Sequence, residues 1–280
     1  MLTTKVKKVL LVAFLLGTVL MVQPIYAQEG LGTRLLQGGK KAIVIDSPGN
    51  YALRDTLSVP GGDAITITSS NVTLDLQGNS VNTDAPATGR GIWITGAKSV
   101  EVRNGHVGGF NVNVAVMNSE NIHVKGLTIT GFGLAPNNGP SEIGILLLQS
   151  RASIVKANSI SSVNLGIFVR GANSTGNRIF ENSIVGGAIP GINLLGICYN
   201  PAPNSGTEGP RGDNIYNNHI TRFGYAFALS SGSVFNVFNE NVSASFAGDF
   251  REPENLVSGG GTNISEGNLA VTIPQTVLPN

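Results

Sequence analysis

One two-part phrase recurs along this chain, and a repeat of short, near-constant period sets an architecture before any local motif does. A clear copy runs Gly166-Ile-Phe-Val, a polar turn, then Asn177-Arg-Ile-Phe-Glu-Asn-Ser-Ile184. Its first half is matched by Gly91-Ile-Trp-Ile, Asn113-Val-Ala-Val, Gly144-Ile-Leu-Leu, Gly191-Ile-Asn-Leu and Ala226-Phe-Ala-Leu. Its second half is matched by Val72-Thr-Leu-Asp-Leu, Val100-Glu-Val-Arg, Ile122-His-Val-Lys, Ile154-Val-Lys, Asn214-Ile-Tyr and Asn236-Val-Phe. With Gly166 in its place, successive openings lie 22, 31, 22, 25 and 35 residues apart, a base period near 22 with insertions.

Both halves alternate apolar and polar residues, the mark of a strand with one buried face. A unit of this length holds two or three short strands with their turns and has no room for a crossover helix. Successive coils can then only stack strand on equivalent strand, and parallel crossovers favour the right hand. Leucine-rich repeats need a Leu-x-x-Leu-x-Leu phrase that is absent here, and propeller blades need about 40 residues each. The expected fold is all-β: a single-stranded right-handed parallel β-helix of about seven to nine coils with capped ends. Composition agrees, with 37 glycines, only 12% charged residues and no long amphipathic helical period.

The first 27 residues read as a cleaved signal peptide: Lys5, Lys7 and Lys8, an apolar run from Val9 to Val22, then Pro24-Ile-Tyr-Ala27. That implies a secreted or periplasmic protein with no stable membrane insertion after cleavage. Residues 28–63 are assigned to the N-terminal cap and first coil, 64–244 to the coils, and 245–280 to a C-terminal cap or tail, because bare solenoid ends would polymerise. The formal charge of +1 loses the three signal-peptide lysines and leaves the mature chain near −2, so no global field points to nucleic acid. Cys198 has no partner for an internal disulfide and reads as a small buried hydrophobe. Asn79, Asn158, Asn182 and Asn218, with Glu240 in the next coil, fall at one turn position, where stacked side chains hydrogen-bond to one another and to the turn backbone.

On these residues, and on Ile45-Asp-Ser-Pro-Gly-Asn-Tyr-Ala-Leu53 followed by Asn71-Val-Thr-Leu-Asp-Leu76, the chain resembles the right-handed parallel β-helix (pectin-lyase-like) superfamily over roughly residues 40 to 245. That superfamily includes pectate lyases, polygalacturonases and mannuronan epimerases. The resemblance implies a polysaccharide ligand, an acidic glycan foremost, which the protein binds and which a lyase or epimerase would cleave or epimerise. The alternative is a non-catalytic exported β-helix that binds a partner protein or has a structural role in the envelope. A monomer is expected.

Residues two apart on a strand share a face, and equivalent residues of successive coils form columns. The second strand exposes Asp75, Glu101, His123, Ile154, Arg178, Asn214 and Asn236 in one column, and Gln77, Arg103, Lys125, Lys156, Phe180, Tyr216 and Phe238 in the other. Asp75 and Glu101 beside Arg103 and Lys125 form either a subsite for an acidic sugar, with a lysine or arginine of lowered pKa as base, or a solvated face of compensating ion pairs. The first strand exposes Trp93, Leu146, Phe168 and Asn193, with Arg170 beside them, a face too apolar to stand bare. Two insertions, 134–142 and 198–211, border it: either they fold down and bury it, or it is the floor of a substrate groove of Trp93, Leu146, Phe168, Arg170 and Asn193, with Glu142, Glu208, Arg211 and Asp213 at its edges. The catalytic candidates are Arg170, Lys125, Arg103, Glu101 and Asp75.

Several motifs are missing. Asn82-Thr-Asp84 matches the first element of the superfamily's hydrolases, but no Asp-Asp, Gly-His-Gly or Arg-Ile-Lys accompanies it. The carboxylate cluster of the calcium-dependent lyases and the Asp-Pro-His-Asp of the epimerases are absent too, so Ca2+ is left open with no motif to support it and no other metal or cofactor is expected. Three scattered histidines supply no transition-metal site, and no glycine-rich phosphate loop opens a helix.

Overall fold

A computed structural model of the chain describes residues 32–84, 88–132, 142–186, 195–200, 209–229, 233–245, 248–251 and 263–272. The expected signal peptide, residues 1–27, lies outside them, as do Asn193 and Glu208. Among the described residues every strand pairing is parallel and there is no helix. Among these residues one sheet has seventeen strands and the other nine, and each strand bonds to its equivalent in a neighbouring coil. The result is a β-helix solenoid.

The larger sheet bends, because strands Lys98–Gly108 and Glu120–Thr130 run continuously around a corner while other coils break there into two short pieces. The coils therefore have three sides. A charged side carries Thr73, Glu101 and His123 opposite one another in register, and beside them Asp75, Arg103 and Lys125. A hydroxyl side carries Thr128, Ser159 and Ser183 in one column. An apolar side, the nine-stranded sheet, carries Trp93, Ala115, Leu146, Phe168, Cys198 and Ala228 in another. Inside, alternate residues fill the core with stacked aliphatics such as Ile92, Val114, Ile145, Ile167 and Ile197, all fully buried.

Corners are where the chain must turn while keeping its polar groups satisfied. At the corner between charged and hydroxyl sides, Asn104, Gly126, Ala157, Glu181, Asn217 and Glu240 adopt left-handed backbone at one position of successive coils. The next position holds a buried asparagine ladder: the Nδ2 of Asn158 donates to Asn182 Oδ1 at 3.0 Å, Asn182 to Asn218 at 2.9 Å, Asn218 to Asn241 at 2.9 Å and Asn241 to Asn268 at 2.9 Å. The same amides donate back to main-chain carbonyls, as Asn182 does to Val155 at 3.0 Å. A second ladder, at the corner between apolar and charged sides, runs through Asn177, Asp213, Asn236 and Asn263.

The structure moves several expected positions. Asn241 stands in the ladder, and Glu240 is the left-handed residue before it. Asn236 belongs to the second ladder and Phe238 to the core, fully buried against Phe227 and Tyr199, so that coil is turned by one residue and exposes Val237 and Asn239 instead. A one-residue slip exchanges the two faces of a strand, and the ladder's need for Asn236 decides it. The opening expected at Gly191 lies at Gly196: strand Leu195–Asn200 pairs with Leu165–Arg170, and Cys198, not Asn193, follows Phe168. That register buries Ile197 and Tyr199 and leaves Cys198 and Tyr199 in a strand, where the insertion had been expected to begin. Parallel pairing also continues past residue 244, through Ile264–Glu266 and Leu269–Thr272.

Glycine at the strand opening is required by contact. A Cβ on Gly166 would lie 2.4 Å from the Gly196 carbonyl oxygen and 2.5 Å from Ile184 Cγ2. Gly166→Ala is expected to destabilise the fold by more than ~1 kcal/mol through overpacking, read as a lowered urea midpoint. Asn182→Ala is expected to cost about 3 kcal/mol, because it strips hydrogen bonds from buried partners on both sides. Asn268→Ala, at the end of the same ladder, should cost clearly less in the same denaturation series.

Candidate functional site

The charged side brings four of the five catalytic candidates together. Val72 and Leu74 pair with Val100 and Val102, and those core contacts set Asp75 opposite Arg103 and Thr73 opposite Glu101. Asp75 was expected opposite Glu101; the register shifts it by two residues, which keeps it on the same face. Arg103 Nε donates to Asp75 Oδ2 at 2.9 Å, and its Nη1 to Glu101 Oε1 at 2.8 Å. Lys125 Nζ lies 2.7 Å from Glu101 Oε2, and His123 Nδ1 lies 4.0 Å from the same oxygen. Thr33, Asn50, Tyr51, Thr73 and Gln77 join Asp75, Glu101 and Arg103 around a cleft of about 490 Å³ at the N-terminal end of this side.

Electrostatics follow from that pairing. Burial pushes the Glu101 carboxyl up, but hydrogen bonds and charge from Lys125 and Arg103 outweigh it and hold the group below the usual carboxylate range. Asp75 is likewise lowered: partial burial is overcome by the Gln77 N–H and by Arg103 and Asn104. Arg103 is raised, chiefly by its hydrogen bond to Asp75, which removes it as a proton acceptor. The expectation of an arginine base of lowered pKa at this position is therefore corrected. The group orients charges; Asp75 and Glu101 are ionised acceptors and Arg103 a fixed cation.

Further along the same side the pattern changes. Lys156 follows Lys125 in register, and Phe180 and Tyr216 follow Lys156. The two rings stack with centroids 4.7 Å apart and planes 5° from parallel. Lys156 Nζ lies 5.7 Å from the Phe180 centroid, and the exposed Arg178 guanidinium lies 5.1 Å and 5.8 Å from the Phe180 and Tyr216 centroids. Arg178 Nη2 also donates to the Tyr216 hydroxyl at 2.6 Å. Among the described residues neither Lys156 nor Arg178 forms an ion pair with a carboxylate. Arg178 was read in sequence only as a member of an exposed column; its convergence on Tyr216 comes from adjacent coils and is not marked by any local motif.

Some of the expected groove residues come together, on the apolar side, and others do not. Trp93, Leu146 and Phe168 do line up on the apolar side, half-buried, with Arg170 beside Phe168 at 5.7 Å from its ring. Trp93 is held by the Arg90 guanidinium, 3.5 Å from the ring centroid and itself fixed by both oxygens of Asp63. Glu142 does not stand at a rim. It is fully buried, and its carboxylate accepts the Phe132 N–H at 2.8 Å and 3.0 Å, because the chain entering the strand needs an acceptor there. Asp213 is buried in the second ladder, and Arg211 sits half-buried at that corner, bridging Thr175 and Val234. Among the described residues no three His, Cys, Asp or Glu side chains gather as a metal site.

Comparison with known proteins bears on the fold. No curated protein matches the sequence. Among solved structures the chain is similar to an alginate lyase from Paenibacillus sp. str. FPU-7, at 13% identity and a TM-score of 0.59 over 81% of this chain and 87% of that one. It is also similar to the Dettilon tailspike protein, at 12% identity and a TM-score of 0.44 over 85% of this chain and 61% of the tailspike, and to the A-module of a mannuronan C-5 epimerase from Azotobacter vinelandii, at 13% identity and a TM-score of 0.30 over 88% and 92%. A family model for the right-handed β-helix region matches residues 41–204, more than half of the chain. With its parallel sheets and stacked coils, the chain belongs to the right-handed β-helix family.

Proposed function

We propose that this is an exported protein, secreted or periplasmic, that binds an acidic polysaccharide along the charged side of its solenoid. The observation that carries the reading is the subsite of Lys156 and Arg178 beside the Phe180–Tyr216 stack. Phe180, only 8% exposed, backs the half-buried Tyr216 ring, and two cations without carboxylate partners offer charge-assisted hydrogen bonds to uronate carboxylates. Lys156 and Arg178 come from adjacent coils, about 4.8 Å apart, so a polyanion lying along the axis meets an uncompensated cation on each. Glu101 compensates Lys125 and Asp75 compensates Arg103, so the N-terminal end of this side carries no net charge and the cations open to an anionic ligand are Lys156 and Arg178. The alginate lyase acts on an acidic polymer of the same class, which supports this choice by analogy of fold alone.

Binding is the part that the geometry favours. Cleavage or epimerisation of a uronan needs a group to take a carbon-bound proton, and Lys125 and Arg170 remain the base candidates after Arg103 is set aside. Incubation with polygalacturonate, alginate and glucuronan, followed by ultraviolet absorbance for unsaturated ends and NMR for epimerised units, decides whether either reaction occurs.

For binding, Lys156→Ala and Arg178→Ala are each expected to weaken association with polygalacturonate by about tenfold, ~1.4 kcal/mol, in isothermal titration calorimetry. Added salt should weaken the wild type further, as for exposed charges. Phe168→Ala, on the apolar side, should leave affinity unchanged. Loss of binding in Phe168→Ala with retention in the other two would move the ligand to the apolar side.

A further inference from the structure

We propose that Asp213 is a protonation-operated tie at the head of the strand that carries Tyr216: its buried carboxyl tightens the second corner ladder when protonated, loosens it when ionised, and thereby regulates the charged side. The tie stands on its own geometry; its effect on a ligand rests on the function proposed above.

The ladder shows what the position asks for. Asn177 Nδ2 donates to the Ser150 carbonyl at 3.1 Å and to Asp213 Oδ1 at 3.2 Å. Asn236 Nδ2 donates to the Pro210 carbonyl at 3.2 Å and to Asn263 Oδ1 at 2.8 Å. Each amide thus spends its two N–H groups on the next rung and on a main-chain oxygen. Asp213, between them and 1% exposed, has no N–H to give. Its main-chain N–H donates to Asn236 Oδ1 at 3.0 Å in either state, and only its protonated form supplies a side-chain donor at that rung.

Its surroundings do not supply a counter-charge. Oδ1 accepts the Asn177 main-chain N–H at 2.7 Å, and Oδ2 accepts the Tyr199 hydroxyl at 3.1 Å. Among the described residues no cation forms an ion pair with it. The groups facing it from neighbouring coils are Tyr199 of strand Leu195–Asn200, Asn177 ahead of Arg178–Phe180, and Asn236 ahead of Val237–Asn239. Of these only Tyr199 titrates, and burial, with the Asp213 charge, holds its proton well above the ordinary tyrosine range. Burial raises Asp213 from 3.8 to about 7, against the opposing hydrogen bonds of Asn177 and Tyr199.

The sign follows from linkage. The folded coil binds the Asp213 proton more tightly than the unfolded chain, so the ladder is firmest below about pH 4 and loses stability as pH rises to about 7. Coils of a solenoid contact only their neighbours, so the loss is local to this rung and to the strand Asn214–Tyr216 that starts beside it.

Amide hydrogen exchange on the full chain tests this, corrected for intrinsic rates, at about pH 5 and about pH 9. In the wild type, protection of Asn177, Asp213 and the strand Asn214–Tyr216 should fall by about tenfold or more at the higher pH. In Asp213→Asn, which completes the asparagine ladder, it should not fall. Equal pH dependence in both proteins overturns the tie. Should Asp213→Asn fail to fold, the carboxyl ¹³C shift of wild-type Asp213 serves instead: a midpoint near neutrality supports the tie, and one in the ordinary carboxylate range overturns it. A polygalacturonate titration at both pH values reads the coupling. Affinity that falls with pH only in the wild type supports regulation, and affinity equally independent of pH in both proteins overturns it. Absence of binding at either pH overturns the proposed function, and with it the regulation, while the exchange result still decides the tie.

Discussion

The corners hold this structure together. A parallel coil of some two dozen residues must turn three times, and each turn places main-chain donors and acceptors where water cannot reach them. Non-glycine residues at left-handed φ, such as Ala157 and Glu181, cost roughly 1–2 kcal/mol each. The adjacent asparagines offset this by accepting a main-chain N–H from one coil and donating to the next, so that Asn158, Asn182, Asn218 and Asn241 bind coil to coil through the interior. Once a ladder is fixed, the face of every residue on the strands beside it is fixed as well, since strand alternation has a period of two.

That dependence explains where sequence reading succeeded. The repeat, the alternation and the column of asparagines gave the solenoid and most of the charged side, because Val72, Val100 and Ile122 announce their inward positions. It faltered where two patterns competed over a long insertion. Gly191-Ile-Asn-Leu and Gly196-Ile-Cys-Tyr both read as strand openings, and only the burial of Tyr199 against Phe238 and Asp213 separates them. Asn236-Val-Phe likewise permits two faces until the second ladder claims its asparagine. Glu142 shows a different limit: a buried carboxylate that accepts a main-chain N–H across an insertion has the same one-letter signature as a rim residue in a groove.

Columns also constrain chemistry. Equivalent residues on neighbouring coils sit about 4.8 Å apart, so like charges in one column repel unless something intervenes. Along the charged side two solutions appear in sequence. Around Arg103 and Lys125 the cations are neutralised by Asp75 and Glu101, both of them kept ionised. At Lys156 and Arg178 carboxylates give way to the faces of Phe180 and Tyr216, which attract the cations without cancelling their charge. The first arrangement is satisfied within the protein, whereas the second leaves two cations beside the Phe180–Tyr216 stack without a carboxylate partner among the described residues, and the proposed ligand site rests on that difference.

Shared fold at low identity follows from the same division. The core columns need only aliphatic residues of the right alternation, and the corners need only small or amide side chains, so a right-handed β-helix can drift to 13% identity and keep a TM-score of 0.59. Nothing in that requirement reaches the outward columns. Asp75, Glu101, Arg103, Lys125, Lys156, Arg178 and Tyr216 do not help the coil to close, and family membership does not dictate them. Their arrangement therefore carries information about ligand that the fold lacks, and the ligand of this chain has to be argued from those side chains and tested on them.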